Sequence, residues 1–122
     1  MVTYNHMVVG SLDHQHLADR CFHALADATR RDIVTTVLQR EHSVSALSRR
    51  YPMSFAAVQK HVAILERAEL VTKERHGREQ RVRGNIYALR QAHQLFDELE
   101  GAWRGRIELM SEILEAEGGA PR

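Results

Sequence analysis

The chain has 122 residues and a mass of 14.0 kDa, the size of one compact domain. Apolar residues make up 43% and charged residues 27%, a composition that excludes an intrinsically disordered chain. No apolar run approaches the roughly 18 residues of a membrane span, the N-terminus lacks a secretory signal, and a single cysteine excludes an internal disulfide. We therefore expect a cytoplasmic, reduced protein that does not associate with membranes.

The net charge of +1 conceals an uneven distribution of charged side chains. Residues 45–90 carry ten basic and four acidic side chains, whereas residues 91–122 carry three basic and seven acidic ones. Residues 1–44 are close to neutral, with four basic and five acidic side chains. A basic middle segment between neutral and acidic ends is typical of a nucleic-acid-binding surface.

Three helices are predicted before the first proline. Each begins at a side chain that can cap a helix N-terminus: Asp13, Asp27 and Ser43. Leu12 and Leu17 have the spacing of a hydrophobic staple for the first helix. Apolar residues then recur at helical spacing: Leu17, Cys21, Phe22 and Leu25, then Ile33, Val34, Val37 and Leu38, then Val44 and Leu47. Pro52 ends the third helix.

A fourth helix is predicted to begin after Ser54 and to follow a tight turn at residues 50–53. Its apolar stripe is predicted to be buried and comprises Phe55, Val58, Val62 and Leu65. Five residues share the opposite side at helical spacing: Ala56, Gln59, Lys60, Ala63 and Arg67. Two short helices joined by a tight turn form a helix-turn-helix, whose second helix enters a major groove.

The side chains of this fourth helix suit contact with DNA. Ala56 and Ala63 keep one side thin, so that the backbone can approach base edges. Gln59 can make a bidentate contact with adenine, and Lys60 can reach guanine or a phosphate. Ser54 and the free amides of the first turn can hold a phosphate. His61 is open to two interpretations, a DNA contact or a place beside the core.

A β-hairpin is predicted from two short alternating segments, residues 70–75 and 80–83, that flank a turn with Gly77 at its tip. Five basic residues lie on it: Lys73, Arg75, Arg78, Arg81 and Arg83. A basic hairpin next to a recognition helix is suited to minor-groove or backbone contact, as a wing. The alternative is a charged strand that is simply solvated.

A long last helix is predicted over residues 88–115, with Asn85 available as its N-cap. Its nearly heptad stripe comprises Ala92, Leu95, Phe96, Leu99, Trp103, Ile107, Met110, Ile113 and Leu114. We expect a flexible N-terminal segment over residues 1–11, a folded domain over 12–116 and a flexible tail over 117–122. The predicted fold is mainly α with a small β-hairpin, in the order ααααββα.

Two segments of the chain resemble the ArsR/SmtB family of winged-helix repressors. Residues 22–31, FHALADATRR, resemble the "FxALADPTRRxIL" opening of that family. Residues 53–71, MSFAAVQKHVAILERAELV, resemble its recognition helix running into "LExAGLV". The ordered combination is specific, and the resemblance covers about residues 12–115. At residues 84–87 the family has an Asn/Asp-Pro turn that this chain lacks.

The resemblance implies a homodimeric repressor that binds an operator and dimerises through its first and last helices. The interface residues would then be Leu17, Cys21, Leu95, Leu99, Trp103, Ile107 and Met110. A chain this small has little room to bury the large side chains of its last helix without a partner. Residues 103–107, WRGRI, resemble the "WxxRL" of a branch without the usual metal ligands.

Neither of the two metal-ligand patterns found in the family is present. The stretch that matches the thiolate motif is Ser43–Leu47, which has no sulfur and no carboxylate, and the last helix carries only His93. A new site from His14, His16 and His93 across a dimer is conceivable, but surface histidines are the preferred interpretation. We expect no metal and no cofactor. We expect Cys21 to be a buried structural thiol rather than a redox switch.

The sequence therefore predicts a homodimeric regulator, a repressor, that binds a palindromic double-stranded DNA operator without a metal. Two alternatives stay open: a metal- or thiol-responsive repressor, and a winged-helix module that binds protein. Enzymatic activity is not expected, because no Ser/His/Asp order, carboxylate pair or phosphate-binding glycine loop is present. An unknown small-molecule effector, if there is one, is expected between the first and last helices at the dimer interface.

Overall fold

The computed structural model describes residues 16–119, which form five α-helices and three β-strands. The helices are α1 (residues 16–25), α2 (Ala28–Gln39), α3 (Val44–Ser48), α4 (Phe55–Arg67) and α5 (Ile86–Gly119). The strands are β1 (His42–Ser43), β2 (Val71–His76) and β3 (Glu79–Gly84). The chain divides into two compact units, with the boundary between Ala92 and His93, within α5.

The predicted order of elements is confirmed, with one strand added. β1 pairs antiparallel with β3, so that the sheet has the order β1-β3-β2. β1 is absent from the predicted elements because two residues are too few to show an alternating pattern. Mainly helical with a small antiparallel sheet, the fold is a winged helix-turn-helix: α3 and α4 form the helix-turn-helix, and β2 and β3 form the wing.

Three predicted N-caps on the described residues are confirmed by hydrogen bonds from the backbone amide three residues further along. Asp27 Oδ2 accepts at 3.0 Å, Ser43 Oγ at 3.0 Å and Ser54 Oγ at 3.1 Å. Each bond satisfies one of the amides that a helix N-terminus leaves without a partner. The predicted cap and staple at Leu12 and Asp13 lie outside the described residues.

The last helix is longer than predicted at both ends. Asn85 Oδ1 accepts a hydrogen bond of 3.1 Å from the Tyr87 amide, so that α5 begins at Ile86 rather than at residue 88. α5 also continues to Gly119, which corrects the expected tail: residues 117–119 are helical, and residues 120–122 lie outside the described range. A glycine costs a helix only about 1 kcal/mol, so Gly118 does not end it.

One apolar core joins the helices to the sheet of the first unit. Its fully buried members include Cys21, Ile33, Val37, Leu47, Val58, Val62, Leu65, Leu70, Val71 and Val82. The predicted α4 stripe is confirmed at Val58, Val62 and Leu65, but the prediction for Phe55 is wrong because its side chain is 45% exposed. Phe55 is the first residue of α4, one turn before Val58, where the helix end extends beyond the buried cluster.

Two arginines at the start of α2 cap the C-terminus of α1. Arg30 Nε donates to the carbonyl of Ala24 at 2.7 Å, and Arg31 Nη1 donates to the carbonyl of Leu25 at 2.7 Å. The last carbonyls of a helix lack intrahelical partners and carry partial negative charge, so guanidinium donors stabilise them. The arginines of the ADATRR segment therefore fix the angle between the first two helices, a role that the sequence analysis did not assign.

A Schellman motif ends α4 and turns the chain into β2. The Leu70 amide donates to the Leu65 carbonyl at 3.0 Å, and the Glu69 amide donates to the Glu66 carbonyl at 2.9 Å. Glu69 has the left-handed backbone conformation that this motif requires, with φ of 60°. Glycine is the usual residue there because a Cβ atom destabilises the left-handed conformation.

Glycines shape both ends of the hairpin. Gly77, the first of the two turn residues, has φ of +63°, whereas Arg78 does not have a positive φ; this is the pattern of a type II′ turn. At the other end, a Cβ on Gly84 would lie 2.6 Å from Leu38 Cδ2 and 2.9 Å from Leu38 Cα. Gly84 therefore allows α2 to pack directly on β3.

We predict that Glu69→Gly stabilises the protein. The substitution relieves the left-handed strain and should raise the free energy of unfolding by about 0.5–1 kcal/mol, measured by urea denaturation. The matched control is Gln59→Gly, at an exposed right-handed position of α4, which should lower the same quantity by about 0.5 kcal/mol. Destabilisation by both substitutions would contradict the strain at Glu69.

Candidate nucleic-acid interface

The turn between α3 and α4 is anchored to α2 by a tyrosine. The Tyr51 hydroxyl donates to Asp32 Oδ2 at 2.6 Å, and burial together with this hydrogen bond raises the pKa of Tyr51. Within the turn, the Met53 amide donates to the Tyr51 carbonyl at 2.9 Å, and the Met53 side chain packs against the core. The entry angle of α4 is therefore set by contacts with both α2 and the core.

The outer face of α4 presents the predicted polar residues to solvent. Ala56, Gln59, Lys60 and Arg67 are exposed and Ala63 is partly exposed, opposite the buried Val58, Val62 and Leu65. Ser54 is also exposed, and its hydroxyl caps the first turn through the Ala57 amide. The structure thus brings together all six residues that the sequence analysis placed on this helix or at its N-terminus.

One further exposed residue near this face was missed. Phe55 lies one turn before Gln59 on α4, and an exposed aromatic ring there can pack against a thymine methyl group. The apolar period predicts a buried Phe55. Its position at the end of the helix is the one sequence signal that favours exposure.

His61 points away from this face and into the junction with α2. Its Nδ1 lies 3.2 Å from Arg30 Nη1 and 4.0 Å from Asp27 Oδ2, and its side chain is largely buried. Hydrogen bonding from the Arg30 amide lowers the pKa of Asp27, so the carboxylate stays charged beside these groups. Of the two interpretations of His61, the place beside the core is the one that the structure supports.

The strand register separates the basic residues of the hairpin into two faces. Lys73 pairs with Val82 and Arg75 with Gln80, so these two cations share the face of the buried valines. Arg83 pairs with Thr72 and Arg81 with Glu74, on the opposite face. The structure therefore does not bring Arg81 and Arg83 onto one surface with Lys73 and Arg75.

Carboxylates already contact three of these cations. Arg81 lies 3.2 Å from Glu41 and 3.4 Å from Glu79, and hydrogen bonds to both raise its pKa. Arg83 lies 3.5 Å from Glu41 and 3.4 Å from Glu74. On the other face, Lys73 lies 3.7 Å from Glu66 of α4. The number of basic residues in the sequence therefore overestimates the unpaired positive charge of the wing, because it takes no account of these ion pairs.

The tip of the wing keeps its positive charge. Arg75 donates from Nε to the Gly77 carbonyl at 3.2 Å and has no carboxylate partner among residues 16–119. Arg78 is the second turn residue and is exposed, with no ion pair in the described part of the chain. Arg75 and Arg78 are therefore the hairpin cations most available to an anionic partner.

The second unit is a helical segment with one strongly apolar side. Leu99, Trp103, Ile107 and Met110 are between 47% and 61% exposed, and Leu95 is partly exposed. Ion pairs of i,i+4 spacing join polar residues on another side, His93 with Asp97 and Glu100 with Arg104. Contiguous exposed apolar stripes are typical of surfaces that contact another protein, a membrane or a ligand.

Of the predicted interface residues, Cys21 belongs to the core of its own chain, whereas Leu17 is only partly buried and its place at an interface stays a prediction. Cys21 is completely buried, so its assignment to a dimer interface is wrong. Its side chain packs in the apolar core, and its Sγ donates to the Ala68 carbonyl at 3.4 Å. Leu17 is partly buried against the same core.

The buried thiol of Cys21 is also poorly suited to chemistry. Burial and the negative charge of Glu69 raise the pKa of the thiol, against a smaller opposing effect of Arg20. A raised pKa reduces the thiolate, which is the reactive form. The prediction of a buried thiol is confirmed.

Within residues 16–119, no group of three or more His, Cys, Asp or Glu side chains is placed to hold a metal ion. Across the same residues, no helix is long and apolar enough to cross a membrane. His14, one of the three histidines considered as metal ligands, lies outside the described range.

Comparison with known proteins agrees with this geometry. The family model described as bacterial regulatory protein, arsR family, matches residues 27–73, from the α2 cap into β2. The HTH-type transcriptional regulator Rv2034 of Mycobacterium tuberculosis is 43% identical over 53 residues, 43% of this chain. The matched region spans half the length of that curated relative.

Solved structures extend the similarity to most of the chain. An ArsR-like transcriptional regulator from Rhodococcus sp. RHA1 is 29% identical, with a TM-score of 0.73 over 81% of this chain and 93% of its own. A possible transcriptional regulator for arsenical resistance is 32% identical, with a TM-score of 0.60 over 64% of this chain and 81% of its own. The homodimeric winged helix-turn-helix domain of Mb0332 from Mycobacterium bovis shares the fold at 23% identity, with a TM-score of 0.54 over 82% of this chain and 87% of its own.

The winged helix-turn-helix fold, with its exposed polar face on α4 and its β2–β3 wing, is the DNA-binding fold of a transcriptional regulator. The chain belongs to the ArsR family. The predicted family and fold are therefore confirmed.

We predict that Cys21 reacts with 5,5′-dithiobis(2-nitrobenzoic acid) only when the core opens. The native protein should label at the rate of an unfolding step, because the thiol is buried and its pKa is raised. Protein unfolded in urea is the control and should label completely within the mixing time. Complete labelling of native protein within seconds would contradict the burial and revive a thiol-responsive mechanism.

Proposed function

We propose that the protein is a homodimeric repressor that binds a palindromic DNA operator without requiring a metal. The single observation that carries the proposal is the thin, exposed polar face of α4, backed by a buried stripe that holds the helix in place. No metal is needed to assemble this face, because apolar packing and the hydrogen bonds of Ser54 and Tyr51 position it.

In this proposal α4 lies in the major groove with its N-terminal half nearest the bases. Gln59 reads adenine with its amide, and Lys60 reaches guanine or a phosphate. Ala56 and Ala63 allow the close approach, and Phe55 offers an apolar contact to a thymine methyl group. Ser54 and the first-turn amides hold a phosphate, and Arg67 contacts the backbone at the other end of the helix.

The wing adds affinity that does not depend on sequence. Arg78 at the tip and Arg75 beside it contact the minor groove or the phosphates. Lys73 joins them if a phosphate displaces Glu66. Arg81 and Arg83 contribute less, because their guanidinium groups lie on the other face and are paired with Glu41, Glu74 and Glu79.

A second copy of the chain covers the exposed stripe of α5 in this proposal. Leu95, Leu99, Trp103, Ile107 and Met110 supply the apolar interface, an area that a soluble monomer rarely exposes. The homodimeric state of the related M. bovis domain supports the same assembly. Two recognition helices related by a two-fold axis then meet half-sites one helical turn, roughly 34 Å, apart.

A protein-binding winged-helix module is the competing function. It predicts association that is insensitive to salt and no binding to duplex DNA of any sequence. The free cations at the wing tip and on α4 favour DNA over this alternative.

We predict that Gln59→Ala weakens operator binding by about 1–3 kcal/mol and leaves non-specific DNA binding unchanged. Loss of the amide removes a base contact but no phosphate contact. Fluorescence anisotropy with operator and scrambled duplexes would measure both affinities. Gln94→Ala, an exposed glutamine of α5, is the matched control and should change neither affinity. Equal loss on both duplexes would show that Gln59 does not read bases.

We predict that Arg78→Ala weakens binding to all duplexes and reduces the slope of log Kobs against log salt by about one unit. The matched control is Arg81→Ala, which should change the slope less, because two carboxylates already neutralise that guanidinium. A titration of affinity against salt would measure both slopes. An unchanged slope for Arg78→Ala, or a larger change for Arg81→Ala, would refute the assignment of the wing tip.

A further inference from the structure

An open groove of about 300 Å³ lies between α1 and the last turns of α4. Its lining residues are Asp19, Arg20, His23, Ile64, Arg67 and Ala68. Ile64 and Ala68 supply an apolar floor, and the aliphatic stems of the two arginines extend it. The volume is at the lower end of the range for small-molecule pockets.

The charged groups around this floor are mostly cationic and lack carboxylate partners. Within residues 16–119, neither Arg20 nor Arg67 forms an ion pair, in contrast to Arg81 and Arg83 of the wing. Arg67 donates only Nε, at 3.4 Å to the Ala63 carbonyl, which leaves its terminal nitrogens for a ligand. Asp19 is the one carboxylate in the lining, opposed by two guanidinium groups and by His23 when protonated.

We propose that this groove binds a small organic anion, a carboxylate carried on a short aromatic or aliphatic body. The guanidinium groups of Arg20 and Arg67 hold the carboxylate, for which their planar donors are well suited. The apolar body rests on Ile64 and Ala68. This site differs from the space between the first and last helices, where the sequence analysis placed an effector.

The groove shares a residue with the DNA-binding surface. Arg67 ends the polar face of α4 and also lines the groove, so a bound carboxylate competes with a DNA phosphate for its guanidinium. A ligand there also ties the last turn of α4 to α1. The anion therefore lowers operator affinity, and operator lowers affinity for the anion by the same factor. This regulatory step rests on the proposed function, whereas the binding step does not.

The binding step is tested without DNA. We expect benzoate to shift the amide resonances of His23, Ile64 and Ala68 in a 15N-labelled sample, with a millimolar Kd, and the neutral isostere benzamide to leave them unchanged. Arg20→Gln should weaken benzoate binding about tenfold, through loss of a charge-assisted contact. Arg90→Gln, at an exposed arginine of α5, is the matched control and should bind benzoate as the wild type does.

Three results would overturn the anion site: no shift with benzoate, equal shifts with benzamide, or the same benzoate affinity in Arg20→Gln and Arg90→Gln. The regulatory step is tested separately with the operator duplex. Saturating benzoate should lower operator affinity two- to tenfold in the wild type and not in Arg20→Gln. If benzoate binds and the operator affinity of the wild type does not change, the coupling is refuted. If no duplex binds at all, the proposed function fails and the anion site stands on its own titration.

Discussion

Residues 68–70, where α4 ends, join the helix-turn-helix to α1, to the wing and to the start of α5. Three successive carbonyls there accept hydrogen bonds from distant parts of the chain. The Ala68 carbonyl accepts from Cys21 Sγ of α1, and the carbonyls of Glu69 and Leu70 accept from the side chain and backbone amides of Asn85, at 2.8 Å and 2.9 Å. The recognition helix, the wing and the first turn of α5 therefore meet at one junction. Glu69 has a left-handed backbone conformation in this turn, which is strained for a residue that carries a Cβ atom.

The positive charge that the wing offers to a partner depends on its ion pairs as well as on its number of basic residues. Carboxylates of β2, β3, α4 and the residue before β1 lie within 4 Å of Lys73, Arg81 and Arg83, whereas Arg75 and Arg78 have no carboxylate partner within residues 16–119. Surface ion pairs of this kind add little to stability, but they reduce the field that a phosphate meets. The positive charge of residues 45–90 is thereby concentrated at the wing tip and on the outer face of α4.

Much of the fold could be predicted from local signals in the sequence. Asp27, Ser43 and Ser54 mark helix starts because their side chains satisfy free amides of the first turn, and the period of Val58, Val62 and Leu65 marks a buried face. The polar face of α4 followed from the same period. These features depend on residues three or four positions apart, so the sequence contains them directly.

The features that could not be predicted depend on long-range contacts. The division of the wing arginines between two faces requires the strand register, and their neutralisation requires Glu41, which is 40 residues from Arg81. Cys21 is buried against residues distant in sequence, among them Ala68, 47 residues away. Phe55 fits the apolar period of α4, but it is the first residue of that helix and lies beyond the edge of the core. The apolar period of a helix indicates which face is buried, but it does not indicate how many turns of that face the core covers.

Metal-independent binding of a palindromic operator is tested by selection of bound duplexes from random DNA with purified, metal-free protein, repeated with zinc. We expect one palindrome to be enriched under both conditions, with half-sites one helical turn apart, because two α4 helices related by a two-fold axis require that spacing. Enrichment that appears or disappears with zinc would contradict metal-independent binding. No enrichment under either condition would contradict DNA binding itself and favour the protein-binding module.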